Sequence, residues 1–313
     1  YRLVLAELPK PQPGPGEVLM KVTAAGVNRA DLLQARGAYP PPEGACELLG
    51  LECAGVVAEL GPQVEGWSVG HQAAALLPGG GYAEYAVADA ACLFPVAGEL
   101  ALDDAAAVPE SVCTVWSNLS EAGYRAGAPL LIHGGAGGIG SMAIKLGAAL
   151  GSPVFATAGD PGRARACEAL GAVRGIDYKT EDFTEVVLAE TEFRGVDHII
   201  DVVGAPYLER NLKALAAGGT LMVIGLMGGS VAELDLGRML ARRHRLIATN
   251  LRGRSRADKA VIGRQVRADV WDLVTAGQAA PVIGARLPMA EAGRAHALMK
   301  AGAVTGKILL TWD

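Results

Sequence analysis

Six consecutive residues, Gly135, Ala136, Gly137, Gly138, Ile139 and Gly140, lie where a short apolar run, "APLLIHG", gives way to an amphipathic one. Gly135, Gly137 and Gly140 satisfy the spacing GxGxxG, and Gly134, Gly137 and Gly140 give an overlapping GxxGxxG frame. The apolar run reads as a buried strand, while Ile139, Met142, Ala143, Leu146, Ala149 and Leu150 recur at the spacing of one helix face. Residues without a Cβ let a backbone turn tightly between such elements and approach a pyrophosphate, which the free N–H groups and positive end of the helix then attract. With a strand before it and a helix after it, the motif predicts a bound dinucleotide.

The next predicted strand, "SPVFATAG", shows which dinucleotide to expect. A carboxylate about 20 residues past the glycines would accept from an adenosine ribose; here the strand ends in Ala158 and Gly159. Arg163 and Arg165 follow on a helix, where a guanidinium suits a 2′-phosphate, although both equally read as a solvated helix face. Asp160 acts according to its direction, either accepting from a ribose hydroxyl or repelling the extra phosphate. The expectation is NADPH over NADH.

These elements need a large scaffold. A chain of 313 residues, 51% hydrophobic, is long enough for two domains with real cores. Residues 1–110 read as short strands and turns, "EVLMKVTAAGV", "ECAGVVAELG" and "GYAEYAVADAA". Between 111 and 250 strand and helix alternate, the pattern of an α/β, doubly wound parallel sheet. Residues 251–313 supply a helix over "DKAVIGRQVRADVWDLVTAGQ", another over "MAEAGRAHALMKAG" and a final strand, "GKILLTW", able to rejoin the first domain's sheet.

A formal charge of −5 argues against a nucleic-acid partner. The basic stretch from Arg238 to Arg267 lacks interleaved aromatics and reads first as a solvated or interface helix, then as a phosphate contact, and last as an RNA contact. No apolar run suits a bilayer and no signal-peptide pattern opens the chain, so the expected compartment is cytoplasmic, with Tyr1 in place of Met limiting that inference. Five cysteines without a CxxC read as reduced thiols filling core space.

Longer motifs follow in one order: "GVNRADLLQARGAYPPPEGACELLGLECAGVVAELG", "LLPGGGYAEYAVA", "AAAVPESVCTVWSNL", the glycine turn, "IDY", "DVVG" and "GLMGG". Together they resemble the zeta-crystallin-type quinone oxidoreductases of the medium-chain dehydrogenase/reductase superfamily, near the branch of the p53-inducible quinone reductases. The resemblance implies a GroES-like, mostly-β catalytic domain (1–110, resumed at 251–313) interrupted by a Rossmann domain (111–250). It further implies NADPH as hydride donor, a small-molecule quinone as acceptor, an active site in the cleft between domains, and a homodimer joined through the cofactor domains' sheets. Asn28 matches the family's active-site asparagine, which would orient the carbonyl or a nicotinamide-bound water. Tyr39 matches its tyrosine beside the nicotinamide, a phenol of ordinary pKa ~10 that would either donate to a developing oxyanion or position a water that protonates the hydroquinone anion after the chemistry. Arg29 and Asp31 hold the loop. The same carry-over puts Thr114 against the nicotinamide, Tyr178 near the adenosine phosphate, Gly204 after "DVV", Leu226 with Met227 after "VIG", and Leu251 with Arg252 on the returning segment.

Zinc alcohol dehydrogenases of this architecture carry a cysteine where this sequence has Asn28, a histidine where it has Leu51, and commonly a cysteine near Glu110. Leucine cannot ligate zinc, Glu52 and Glu110 do not restore the missing imidazole and thiolates, and the four-cysteine structural lobe is lacking, so no metal is expected. His71, His133, His198, His244 and His296 show no paired spacing and read as surface or locally bonded residues. Two other functions fit the same motifs: an NADPH-dependent enone or enal reductase, and an NADPH-binding regulatory or RNA-binding protein with little turnover.

Overall fold

The structure, a computed structural model, describes residues 1–312. The chain forms two compact units, Thr114–Asn250 and, around it in sequence, Tyr1–Cys113 with everything from Leu251 onward.

In the outer unit seven of the ten residues of strand β1 (Glu17–Gly26) are buried, because three strands pair with it. These are β2 (Glu52–Leu60), β4 (Tyr85–Asp89) and, at the far end of β1, the terminal strand β13 (Lys307–Thr311). With β3 (Gln72–Leu76), β5 (Leu93–Pro95) and β12 (Ile283–Pro288) they make a seven-stranded sheet in the order β12-β13-β1-β2-β3-β5, with β4 also on β1. Val18, Met20, Val22, Cys53, Val57 and Leu310 lie in its core. The register Gly26↔Leu309 continues beyond the strand as a bond from the Val27 N–H to the Ile308 carbonyl (2.9 Å), which sets Asn28 beside Lys307. The predicted helix over residues 258–278 is instead two, Arg256–Asp269 and Trp271–Thr275, broken at Val270.

The inner unit is the doubly wound sheet read from the alternating pattern. Strands β6 (Leu130–Ile132), β7 (Val154–Ala158), β8 (Arg174–Asp177), β9 (Val196–Asp201), β10 (Leu215–Val223) and β11 (Arg245–Ala248) are all parallel, in the order β11-β10-β9-β6-β7-β8. Strand order reverses between β6 and β9, and the carboxyl ends beside such a reversal form the crevice where α/β sheets take ligands. Leu131, Phe155, Ile176, Phe183, Ile199 and Leu221 fill one side of the sheet. Among the described residues no helix is long and apolar enough to cross a membrane.

Two expectations need correction. Of the five histidines only His71 lies at the surface, and the partners of His296, Tyr1 and Tyr82, are far off in sequence. Of the cysteines, Cys46 is exposed and the other four are buried; all five are free thiols.

Candidate active site

In the inner unit the predicted cofactor residues gather where strands end. The chain leaves β6 through His133 and enters the glycine turn, with Gly134 at φ +69°. The Gly135 N–H donates to the Thr157 carbonyl (2.9 Å) and the Gly137 N–H to the Gly134 carbonyl (3.0 Å). A Cβ on Gly140 would stand 2.2 Å from the Gly134 oxygen, and one on Gly135 2.8 Å from both Ala156 Cβ and Cys167 Sγ. Both glycines are therefore required by close packing. Gly137 caps the helix Gly138–Ala149 without a side-chain cap bond, so the N–H groups of Gly138, Ile139 and Gly140 stay available to an anion. Ala136 lies within this cradle, which fits a dinucleotide pyrophosphate.

The later strand ends carry the rest. Asp160 caps the helix Pro161–Ala169: one carboxylate oxygen accepts from the Arg163 N–H (2.9 Å) and the other lies 3.4 Å from Arg163 Nε. The Asp160 charge thus faces its own helix. Gly159 leaves room for Tyr178, whose hydroxyl would stand 2.9 Å from a Cβ there. Gly204, at φ +85°, donates its N–H to both oxygens of Asp201 (3.2 Å each), and Leu226 packs close against it. Leu226 and Met227 are exposed, whereas Thr114 is buried in the helix Pro109–Glu121 rather than at a strand end. Beneath the turn, buried His133 sits between Thr157 Oγ1 (3.0 Å) and Asn211 Oδ1 (2.7 Å), and Asn211 Nδ2 donates to Asp201 (3.0 Å). Burial pushes the His133 imidazole down to about 4, so it is neutral at physiological pH.

The outer unit holds the second group. Asn28 begins the short helix Arg29–Gln34, and its N–H donates to Asp31 Oδ2 (2.7 Å). Asp31 also accepts from the Gly50 N–H (3.1 Å) and the Tyr82 hydroxyl (3.1 Å), tying two loops together, while Arg29 is exposed. The Asn28 amide is fully engaged: Lys307 Nζ donates to its Oδ1 (2.7 Å), and its Nδ2 donates to Glu52 Oε1 (2.9 Å) and the Gly26 carbonyl (3.4 Å). Lys307 also pairs with Glu52, and both side chains are buried. The second oxygen of Glu52 accepts from the Glu110 N–H (2.9 Å).

Tyr39 is held from behind. The Arg252 guanidinium lies 5.4 Å from its ring centroid and donates to the Tyr39 carbonyl (3.3 Å), Gln34 Oε1 (2.7 Å) and the Pro78 carbonyl (3.0 Å). Arg252 is thus occupied in fixing the tyrosine loop, and Leu251 beside it is buried. The Tyr39 hydroxyl has no hydrogen-bond partner among the described residues. Burial, helped by the Glu110 charge and opposed by Arg252, raises its pKa and keeps it a protonated donor. Burial likewise raises Glu110 to about 8 and Asp31 to about 6.

Zinc does not fit this donor set. Leu51 is apolar and buried, and an ammonium is already bonded to both Asn28 and Glu52. Among the described residues no group of three or more His, Cys, Asp and Glu could hold a metal ion. Sequence reasoning missed Lys307, although a charge opening an apolar terminal strand, "GKILLTW", was a usable signal.

Residues 14–98 match the alcohol dehydrogenase GroES-like domain family, and residues 138–263 match the zinc-binding dehydrogenase family. The phthioceranic/hydroxyphthioceranic acid synthase of Mycobacterium tuberculosis is 34% identical over 308 residues, covering 98% of this chain and 14% of that protein. The chain thus spans about a seventh of that relative's length. Among solved structures, a mycobacterial quinone oxidoreductase is 29% identical with a TM-score of 0.85, covering 98% of this chain and 94% of the other. The Escherichia coli quinone oxidoreductase complexed with NADPH is 25% identical with a TM-score of 0.85 and the same coverage.

Proposed function

The chain belongs to the medium-chain dehydrogenase/reductase superfamily, and from that premise we propose that this oxidoreductase reduces quinones with NADPH and without a metal. The observation that carries the reading is the Tyr39 hydroxyl, a protonated donor with no hydrogen-bond partner among the described residues, on a ring fixed by Arg252. Bound NADPH would be held by the Gly135–Gly140 turn and would supply a hydride. Hydride addition to a conjugated carbonyl builds negative charge on oxygen, and a preorganised donor stabilises that charge without reorganising at the moment of reaction. Asn28 has a different part. With its amide committed to Lys307 and Glu52, it gives the wall beside the acceptor a fixed polarity.

NADPH is favoured over NADH because Asp160 turns its carboxylate onto Arg163 and its own helix, and the residue that follows the strand is Gly159 rather than a carboxylate. The quinone reading draws support from the two structural neighbours, which are quinone oxidoreductases. The acid-synthase relative favours a second reading, reduction of an enone. Enzymes that build acyl chains pass through conjugated enoyl carbonyls, which take a hydride and need the same donor. A homodimer is proposed through the open edge of β11, near which Leu236, Leu240 and Leu246 are exposed.

Steady-state kinetics with NADPH and NADH over a panel of quinones and enones tests these readings together. NADPH oxidation by quinones with poor enone turnover supports the first, and the reverse pattern supports the second. Dinucleotide binding without turnover of either acceptor class sinks both.

A further inference from the structure

We propose that His133 is a positioning residue of the cofactor site: its ring joins the glycine turn to the Asp201–Gly204 loop through one directional chain of hydrogen bonds, fixing the spacing between the two walls of the crevice. The proposal rests on the dinucleotide part of the reading above and extends it to buried groups that reading leaves unused. All of them lie in the inner unit.

His133 stands where β6 and β9 part. Its N–H donates to the Ile200 carbonyl (3.0 Å), and past that bond one chain enters the glycine turn and the other the Asp201–Gly204 loop. The two walls meet at their base, where a Cβ on Gly134 would stand 3.2 Å from Val202 Cγ2. A ligand anchored on one wall of such a crevice by its pyrophosphate lies against the other with the rest of its length. The distance between the walls therefore bears on how well the whole dinucleotide fits.

The proton positions follow from the far end of the chain. The Asp201 carboxylate accepts from the Val203 N–H (2.7 Å) and the Gly204 N–H (3.2 Å), so Asn211 must turn its Nδ2 toward it (3.0 Å). That leaves Asn211 Oδ1 facing His133 Nε2 (2.7 Å), which must then carry the ring proton. A neutral imidazole has one N–H, so Nδ1 is bare and accepts from the Thr157 hydroxyl (3.0 Å). Thr157 Oγ1 accepts in turn from the Gly134 N–H (3.3 Å), and the Thr157 carbonyl from the Gly135 N–H (2.9 Å). Every bond of the chain points from the turn toward the carboxylate, and bonds aligned in this way strengthen one another. His133, Thr157, Asn211 and Asp201 are all buried, so moving either wall breaks a bond that water does not replace. Burial first, with the Arg210 charge, keeps the ring neutral against the opposing bond to Asn211. Packing alone does not call for an imidazole here. The Phe183 and Tyr207 rings lie 4.7 and 4.8 Å from it, an aromatic pocket that a phenyl ring would also fill.

The test begins with the wild type, in which nitrogen-15 NMR of the His133 ring should show Nε2 protonated and Nδ1 bare. Binding is then compared for NADPH and for 2′-phosphoadenosine diphosphate, which ends at the pyrophosphate and so reaches the turn alone. His133→Phe should weaken NADPH about 10-fold and leave the shorter ligand little changed. His133→Gln, which keeps a side-chain N–H for Asn211, should recover part of the loss. Thr157→Val, which removes the hydroxyl between Gly134 and His133, makes the same comparison if His133→Phe does not fold. A ring protonated on Nδ1, unchanged NADPH affinity, or equal losses for the two ligands overturns the proposal. A wild type that binds neither ligand overturns the dinucleotide reading on which it rests.

Discussion

At the residue scale the proposed reaction gives Tyr39 and Lys307 different parts: the Tyr39 phenol would donate to the acceptor, whereas Lys307 holds Asn28 and Glu52. Tyr39→Phe removes a hydroxyl that bonds nothing among the described residues, so the fold should be indifferent to the change while the transition state should not. Deleting one oxyanion donor typically costs about 10²–10³ in kcat, and that loss with an unchanged NADPH dissociation constant is the expected result. Equal turnover by Tyr39→Phe would remove the phenol from the chemistry. Lys307→Met has the opposite profile. It strands the buried Glu52 carboxylate with only Asn28 Nδ2 and the Glu110 N–H as donors, and breaking one side of a buried pair costs about 3–5 kcal/mol. Urea unfolding should report that loss, and the double variant Glu52→Gln/Lys307→Met should recover much of it. A loss no larger than the ~1 kcal/mol of an exposed ion pair would mean that the cluster contributes little to folding.

At the scale of elements, the distinction is between signals that are contiguous in sequence and contacts that only topology creates. Strand β6, the glycine turn and the helix Gly138–Ala149 are neighbours in the chain, so spacing alone identified them, whereas the positions after the later strands came from the family resemblance. Gly140 tests that unit. A Cβ placed 2.2 Å from the Gly134 oxygen forces the turn apart and moves the first-turn N–H groups off the pyrophosphate. At NADPH one hundred times its dissociation constant the wild type should gain about 2.7 kcal/mol, and Gly140→Ala should lose most of that gain in thermal-shift measurements. Retained stabilisation would place the dinucleotide elsewhere. Lys307 was not legible in the same way. Its partner Asn28 lies 279 residues away, and the two meet only because β13 closes on the far end of β1. The commitment of Arg252 to the Tyr39 loop was hidden for the same reason, since the family resemblance pointed to its position but not to its partners. His133 and His296 looked ordinary because burial, which sets their behaviour, leaves no mark on spacing.

Those buried groups also determine how stability of the whole molecule responds to pH. His133 and His296 are pushed down to about 4, below the ordinary imidazole value of ~6.5, so the unfolded chain binds more protons between those limits. They therefore withdraw stability as pH falls from 6.5 toward 4. Asp31 and Glu110 are pushed up, to about 6 and about 8, so here the folded chain binds more protons. Their protonation adds stability as pH falls, and their ionisation removes it as pH rises. From 4 to 6 the two pairs oppose each other. From about 7.5 to about 9 the histidines are neutral in both the folded and the unfolded chain and Asp31 has ionised, which leaves Glu110 to set the slope. The melting temperature of the cofactor-free protein should decline across that interval. Glu110→Gln, which has no proton to lose, should hold it level. A decline of equal steepness in Glu110→Gln would show that the carboxyl is ionised throughout, and that the slope belongs to some other group.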